Sequence, residues 1–464
     1  MTTGIEARAG GSLAADLHMA WLLTRGSDRR EWWRVGLTAV GAALAAGIVM
    51  SVVALNSLDG YHSVSFGSGL LNSASDRRNV GLVLLMLLVP VLGFLGQCAR
   101  IGAVHRDRRL AALRLAGAGA WQVRRIAALE AGPACLAGSV AATAVFVRLL
   151  LHLWERPGAL AWAGVVLVPV AVPLLAAAVS MLALRRVVTS PLGWVRRARP
   201  VWGPGRVLRV VIGLLGVAAL FVGVSSFLGG PVEVALGPLA LFAVVLVVGA
   251  ATVSLAGTAA RRLGGALAAR AQSPAVLIAA ERLRADPWAA ARTHASVLLV
   301  TVVGAGFVGV RQVLLSTLHT MRREGTLATD LSYYTTGIDL TAAAILVALA
   351  LTVTGLAVGT VESLATRRRG LAAQVAAGVP YRVLARALLL ETALPLAPAV
   401  ALAGVGGTAI GVWYASLASH DTVTGLPYAA LLVPLGVYAA CLLAAATSLP
   451  LLRRSLRPAE LRYT

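Results

Sequence analysis

The sequence predicts an all-α protein that crosses a membrane about ten times, with two four-helix cores and an inserted helix pair between them. Of its 464 residues, 58% are hydrophobic and 13% are charged, whereas a soluble domain is about half apolar and about a quarter charged. The apolar residues form runs of roughly 20, the length that an α-helix needs to cross a bilayer. A basic segment also occurs twice, which indicates duplicated halves.

Ten apolar runs are the predicted membrane helices, and hydropathy sets their approximate limits. They lie at residues 35–55, 80–99, 126–150, 160–184, 210–228, 234–255, 295–315, 340–361, 387–414 and 428–451. Arginine-rich stretches alternate with short, mixed loops, so that every second loop is basic. Because basic loops remain in the cytoplasm, the pattern predicts that both termini are cytoplasmic.

The formal net charge of +22 comes from arginine, since the chain has no lysine. On a soluble chain such a charge would indicate binding to nucleic acid. Here the arginines lie between membrane helices, where they are expected to face anionic lipid headgroups. The charge therefore predicts membrane lipids, and not nucleic acid, as partners.

The runs divide the chain into two halves that follow the same order, each with a basic segment after the second helix of its core. The predicted parts are an interfacial-helix segment at 1–34, a first core at 35–209, the helix pair at 210–256, a cytoplasmic connector at 257–294 and a second core at 295–464. Within the connector, Asp286-Pro287 is expected to end a helix, because proline disfavours the helical conformation in the residue before it.

The basic segment is helical and is interrupted by glycine in both copies. Residues 106–130 read RDRRLAALRLAGAGAWQVRRIAALE, and residues 367–391 read RRRGLAAQVAAGVPYRVLARALLLE. The two copies align without a gap, so that Gly117 corresponds to Gly378. Both glycines are expected to end a helix in the left-handed conformation, which glycine adopts at little cost.

Each copy also places a glutamate just inside the membrane helix that follows it. Glu130 and Glu391 are expected to pair with Arg125 and Arg386, which precede them by about one turn. A proton relay or a substrate site is the alternative, because ionisable groups inside a membrane are expensive and commonly functional. Their position near the cytoplasmic face favours structural charge pairs.

The repeated pattern R-x-x-x-L-A-x-L-x-x-x-G-A, followed by an arginine and a glutamate, resembles the FtsX-like permease domain of MacB-type ABC transporters. In this chain it reads RDRRLAALRLAGA at 106–118 and RRRGLAAQVAAGV at 367–379. The ten-helix order is similar to that of bacitracin-exporter-like permeases. The loops at 56–79 and 316–339 are too short for the large extracytoplasmic domain that such proteins carry.

This resemblance implies a bacterial permease subunit of the cytoplasmic membrane, which couples ATP hydrolysis by a separate ABC ATPase to export or force transmission. An amphipathic, lipidic or antimicrobial compound is the expected cargo. Residues 106–118 and 367–379 would be the coupling helices that contact the ATPase. The residues expected at that contact are Leu110, Leu113, Arg114, Gly117, Ala118, Leu371, Gln374, Gly378 and Val379. Two ATPase subunits per chain, or two associated chains, would complete the complex.

No nucleotide site, metal site or catalytic group is expected in the chain itself. Without lysine it can form neither a P-loop nor a Schiff base, so ATP and Mg²⁺ are expected on the ATPase. Its histidines are scattered, and its three cysteines lie in or beside apolar runs without metal-ligand spacing. One alternative is a secondary transporter, which would place ionisable residues near the membrane midplane. The other is a membrane scaffold or regulator.

Overall fold

The computed structural model describes residues 29–58, 60–62, 68–98, 112–113, 115–153, 157–183, 237–418, 427–450 and 452. Over these residues the chain forms eleven α-helices, one short 3-10 turn and no β-strand. The predicted all-α fold is therefore confirmed.

The helices range in length from 9 to 38 residues. They are α1 (Arg29–Asn56), α2 (Ala74–Cys98), α3 (Ala120–Leu153), α4 (Ala159–Ala183), α5 (Gly237–Arg270), α6 (Pro274–Ala285), α7 (Pro287–Glu324), α8 (Leu331–Thr366), α9 (Arg368–Ala376), α10 (Tyr381–Ala418) and α11 (Leu432–Ala446), with the 3-10 turn at Tyr428–Leu431.

Nine of the described helices, all except α6 and α9, are long and apolar enough to cross a membrane. The ninth is α11 taken together with the 3-10 turn before it. These nine correspond to nine of the ten predicted apolar runs. The remaining run, 210–228, and the predicted interfacial segment at 1–34, up to Asp28, lie outside the described residues.

The chain divides into two compact units, of which the first comprises Met1–His62 and Phe94–Arg199. Its helices α1, α3 and α4 pack against one another. Gly138 in α3 lies so close to the main-chain carbonyl of Ala39 in α1 that a side-chain carbon would not fit. Small residues let membrane helices approach closely, and this glycine sets the distance between α1 and α3.

The second unit comprises Ser63–Gly93 and Pro200–Thr464. Its helix α7 is the most buried of the described spans and packs against α5, α8, α10 and α11. Where α7 crosses α10, Gly407 lies against the carbonyl of Val302 and the main chain of Gly306. The close approach again depends on a residue without a side chain.

Helix α6 is joined to α7 through the single residue Asp286. The helix ends there, and α7 begins at Pro287, so the predicted helix end at this pair is confirmed. Proline cannot continue a helix but is favoured in the first turn of a new one. Residues 257–270 and 287–294, which the sequence assigns to the connector, belong to α5 and α7.

Candidate functional site: two helical elbows

In their described residues, the two copies of the basic segment form helical elbows that lead into the membrane helices α3 and α10. We name residues 367–391 the second elbow. The first elbow is residues 106–130, of which 112–113 and 115–130 are described. Each elbow contains a turn at glycine followed by the start of a long helix.

The turn of the second elbow follows α9. Gly378 has a φ angle of +88°. Its amide donates a hydrogen bond to the carbonyl of Val375 at 2.9 Å, and the amide of Val379 donates to the carbonyl of Gln374 at 3.0 Å. These are the two hydrogen bonds of the Schellman motif, in which the left-handed residue after a helix is usually glycine.

The first elbow has the same turn at the equivalent position. Gly117 has a φ angle of +97°, and the amide of Ala118 donates to the carbonyl of Leu113 at 3.0 Å. The left-handed conformation predicted for both glycines is thus confirmed. Leu110 and Arg114, which the sequence also assigns to the ATPase contact, lie outside the described residues.

Helix α9 rests on a cluster of apolar side chains contributed by several elements. The buried members are Leu364 of α8, Leu371 of α9, Leu384 and Leu388 of α10, and Leu452. Ile278 of α6 and Val375 of α9 pack against this cluster. Helix α9 therefore packs against side chains of α6, α8 and α10.

Most of the residues predicted to contact an ATPase in this elbow face the protein itself. Leu371 is only 4% exposed. The side-chain oxygen of Gln374 is buried, with no hydrogen-bond partner among the described residues. Val379 packs against the apolar cluster, whereas Gly378 is exposed. Leu371 and Val379 thus anchor the elbow, and the exposed side of α9 carries the small residues Gly370, Ala373 and Ala376.

Glu391 of α10 binds two arginines from outside its own helix. Its Oε1 accepts a hydrogen bond from Nη1 of Arg367 at 2.6 Å, and its Oε2 accepts one from Nη1 of Arg282 at 2.7 Å. Arg367 is the single residue between α8 and α9, and Arg282 lies in the last turn of α6. The Glu391 side chain is 20% exposed, so solvent screens these ion pairs less than it screens surface pairs.

The structure gives Glu391 partners other than the predicted Arg386. Arg386 is exposed on α10, and both carboxylate oxygens of Glu391 bind Arg367 and Arg282. Residues five apart in an α-helix are separated by about 140° around its axis, so they do not face each other as residues three or four apart do. In the first elbow Glu130 is buried and Arg125 is half-buried, and their pairing stays a prediction.

A polar cluster that the sequence reasoning missed joins the starts of α2 and α8. Oδ2 of Asp76 accepts hydrogen bonds from Oγ of Ser73 at 2.7 Å and from the hydroxyl of Tyr333 at 2.6 Å. Nearby, Oγ1 of Thr336 donates to Oγ of Ser68 at 3.1 Å. The Ser73-x-x-Asp76 pattern before an apolar run marks a helix start, but no local signal places Tyr333 beside it.

The described residues include three free cysteines but no cluster of side chains suited to a metal ion. In the parts of the chain that the structure describes, no group of three or more His, Cys, Asp or Glu side chains is placed to hold a metal ion. Cys98, Cys135 and Cys441 are buried free thiols. The Glu391 ion pairs of the second elbow and the Asp76 cluster are among the polar features that the described residues bring together.

These helices define the class of the molecule, a polytopic α-helical membrane protein. Residues 80–192 match the family model described as FtsX-like permease C-terminal. Over this range, which includes the first elbow, the chain resembles an FtsX-like permease domain, and the predicted resemblance is confirmed there. Proteins of this family are membrane subunits that are not themselves catalytic and that typically work with ABC ATPases. No curated protein and no solved structure matches the chain.

Proposed function

We propose that this chain is the permease subunit of an ABC transporter and that its two elbows are the coupling helices on which a separate ATPase acts. One observation carries the proposal. The first elbow lies inside the range that matches the FtsX-like permease family, and the second elbow has the same glycine conformation and the same hydrogen bond across its turn. Because equivalent elbows occur in both halves of the chain, the arrangement suits a partner that binds as two subunits.

The attachment of the second elbow suits the transmission of force. Helix α9 is held at its start by Arg367, which binds Glu391, and on its inner side by Leu371. Protein interiors are close-packed and transmit strain, so a push on α9 moves α8 and α10 with it. ATP hydrolysis by the partner would in this way tilt the helices of the core and drive export or force transmission.

The outward side of α9 offers a surface that a protein partner can approach closely. Where burial is described, the exposed residues of α9 and of the turn after it are small, and two exposed arginines follow in the first turns of α10. They are Gly370, Ala373, Ala376, Ala377 and Gly378, with Arg382 and Arg386. The arginines give the surface a positive edge, which favours acidic groups on the partner. ATP and Mg²⁺ belong to the ATPase in this arrangement.

The elbows lie on the cytoplasmic side in this proposal, because the arginine-rich segments follow the positive-inside pattern. Both termini are then cytoplasmic, in a bacterial cytoplasmic membrane, and the arginines beside the bilayer contact anionic lipids. Two elbows per chain suit two ATPase subunits. Association of two chains is the other arrangement.

Short connections between membrane helices limit the kind of cargo. Helices α7 and α8 are joined by residues 325–330 alone, so no independent domain is inserted between them. A cargo would then be received by the membrane helices themselves. This favours an amphipathic, lipidic or antimicrobial compound that reaches the protein from the bilayer.

Co-expression of the tagged chain with the ABC ATPases of the same genome, those encoded beside it first, tests the proposal. We expect the chain alone to hydrolyse no ATP, and the wild-type chain to retain an ATPase during purification. The double variant Ala373→Glu/Ala376→Glu should reduce that capture roughly tenfold or more, because a charge buried in an interface without a partner is costly. The matched control is Ala269→Glu, at an exposed alanine of α5 outside the elbows.

Two results would contradict the proposal. The wild-type chain would retain no ATPase, or the elbow variant would retain it as well as the Ala269→Glu control does. Cargo movement driven by an ion gradient in vesicles without any ATPase would instead favour a secondary transporter. Capture of a partner whose ATP hydrolysis the chain does not change would favour a scaffold or regulator.

A further inference from the structure

We infer that α6 is part of the coupling apparatus of the second core and that Arg282 and Glu391 are the positioning residues that join it to the elbow. The inference rests on the proposed function and adds a route by which a push on α9 reaches the centre of the second unit. The observation behind the inference is the carboxylate of Glu391, which binds Arg367 through one oxygen and Arg282 through the other.

Arg367, the first of the two partners of Glu391, forms the junction between α8 and α9, which we call the hinge. Arg367 is at once the C-cap of α8 and the N-cap of α9, so the direction of α9 relative to α8 depends on this one residue. The hydrogen bond of 2.6 Å to Glu391 fixes its side chain against α10. A charge-assisted hydrogen bond is short and directional, so a movement of the hinge is passed to Glu391.

The Arg282 side connects the same carboxylate to α6. That helix buries Ala279, Ala280 and Leu283, and Ile278 packs against the apolar cluster beneath the elbow. Against α5 the packing is close, because a side-chain carbon on Gly264 would lie 3.0 Å from the carbonyl oxygen of Ala280. Helix α6 is thus in contact with both α5 and α10 and has little freedom to rotate without them.

Beyond α6 the route continues into α7. Only Asp286 separates the two helices. Helix α7 is the most buried span among the described residues and packs against α5, α8, α10 and α11. A displacement of α9 therefore has a continuous path through Arg367, Glu391 and Arg282 to the helix that contacts most of the second unit.

A matched set of variants on α6 separates this role from general stability. Arg282→Gln removes the ion pair with Glu391, and Arg282→Lys keeps the positive charge. The control is Arg284→Gln on the same helix, which breaks a pair of equal length, 2.7 Å, between Arg284 and Glu281. Both members of the control pair are more than half exposed, and exposed pairs contribute little.

Amide hydrogen exchange of the purified full-length chain in detergent gives the first readout, without any partner. We expect Arg282→Gln to increase exchange in the peptide that covers 274–285 by about tenfold, since hydrogen bonds to charged groups are among the stronger ones. Arg282→Lys and Arg284→Gln should remain close to the wild-type chain.

ATP hydrolysis of the captured complex gives the second readout. We expect Arg282→Gln to retain the ATPase but to lose most of the stimulation that the wild-type chain produces. Arg282→Lys should restore the stimulation, which a general loss of folding would not allow.

The inference is overturned if exchange in Arg282→Gln equals that of the Arg284→Gln control. It is also overturned if exchange rises while stimulation stays at the wild-type level, because α6 would then only brace the fold. Failure of the proposed function is seen separately, in a wild-type chain that captures no ATPase.

Discussion

The hydroxyl group of Tyr333 donates a hydrogen bond of 2.6 Å to Oδ2 of Asp76, which joins the first turn of α8 to the first turn of α2. The same oxygen accepts from Ser73, the residue before α2. Both helix starts belong to the second compact unit. At the other end of α8, Arg367 binds Glu391, so α8 is tied to other helices at its two ends.

The Tyr333–Asp76 bond predicts a loss of stability when the hydroxyl is removed. Tyr333→Phe should lower the free energy of unfolding by about 1 kcal/mol, near the typical value for an intramolecular hydrogen bond, because the site is partly exposed. Thermal unfolding of the purified chain in detergent measures the change. The matched control is Tyr334→Phe, which keeps the edge-to-face ring contact of 5.2 Å with Tyr333. Equal effects of the two variants would contradict the predicted role of the bond.

The turn of the second elbow predicts opposite effects of one substitution at two nearby glycines. Gly378→Ala should destabilise the chain by about 1–2 kcal/mol, because a side chain in the left-handed region is strained. Gly370→Ala, inside α9, should stabilise it by about 0.5–1 kcal/mol. Neither new side-chain carbon would meet another atom within 4 Å, so steric overlap does not contribute to the stability change of either variant. Unfolding midpoints of the two variants provide the test, and a shift in the same direction for both would contradict the assignment.

The crossing of α7 and α10 predicts a larger effect at Gly407. A side-chain carbon there would overlap the carbonyl of Val302, and main-chain atoms cannot move aside as a flexible side chain can. We expect Gly407→Ala to cost about 2–3 kcal/mol, the upper part of the range for overpacking, and to lower the yield of monodisperse protein in size-exclusion chromatography. Gly436→Ala in α11 is the control, since its new carbon meets nothing within 4 Å. A well-folded Gly407→Ala variant would show that the two helices do not approach this closely.

The membrane helices were predictable because hydropathy over about 20 residues is a local property of the sequence. The residues at which the helices begin and end were less predictable. Helix α8 begins at Leu331, well before the predicted run at 340–361, because its first turns carry polar residues such as Tyr333 and Thr336. Those turns bind the start of α2 and the loop before it, and hydropathy alone gave no reason to include them in the helix.

In the elbows, too, features that depend on neighbouring residues were predictable, and features that depend on residues far along the chain were not. The left-handed turns at Gly117 and Gly378 followed from glycine itself. The partners of Glu391 did not, since Arg282 lies 109 residues away along the chain. Arg386 is nearer along the chain, but the helical period places it on another side of α10. Pairing between helices depends on their packing, which no single helix encodes.

Side-specific labelling of the second elbow tests the central claim most directly. The cysteines Cys98, Cys135 and Cys441 are buried, so a cysteine introduced by Ala376→Cys on the exposed side of α9 should react over a low background. A membrane-impermeant maleimide is the reagent, and Ser332→Cys, at the exposed start of α8, is the control for the opposite side.

For Ala376→Cys we predict labelling in inside-out vesicles and not in intact cells, and protection of the site when the captured ATPase is bound. The Ser332→Cys control should show the reverse sidedness. Labelling of Ala376→Cys from outside intact cells would place the elbow where no cytoplasmic ATPase can reach it, and would contradict the proposal that the elbows are coupling helices.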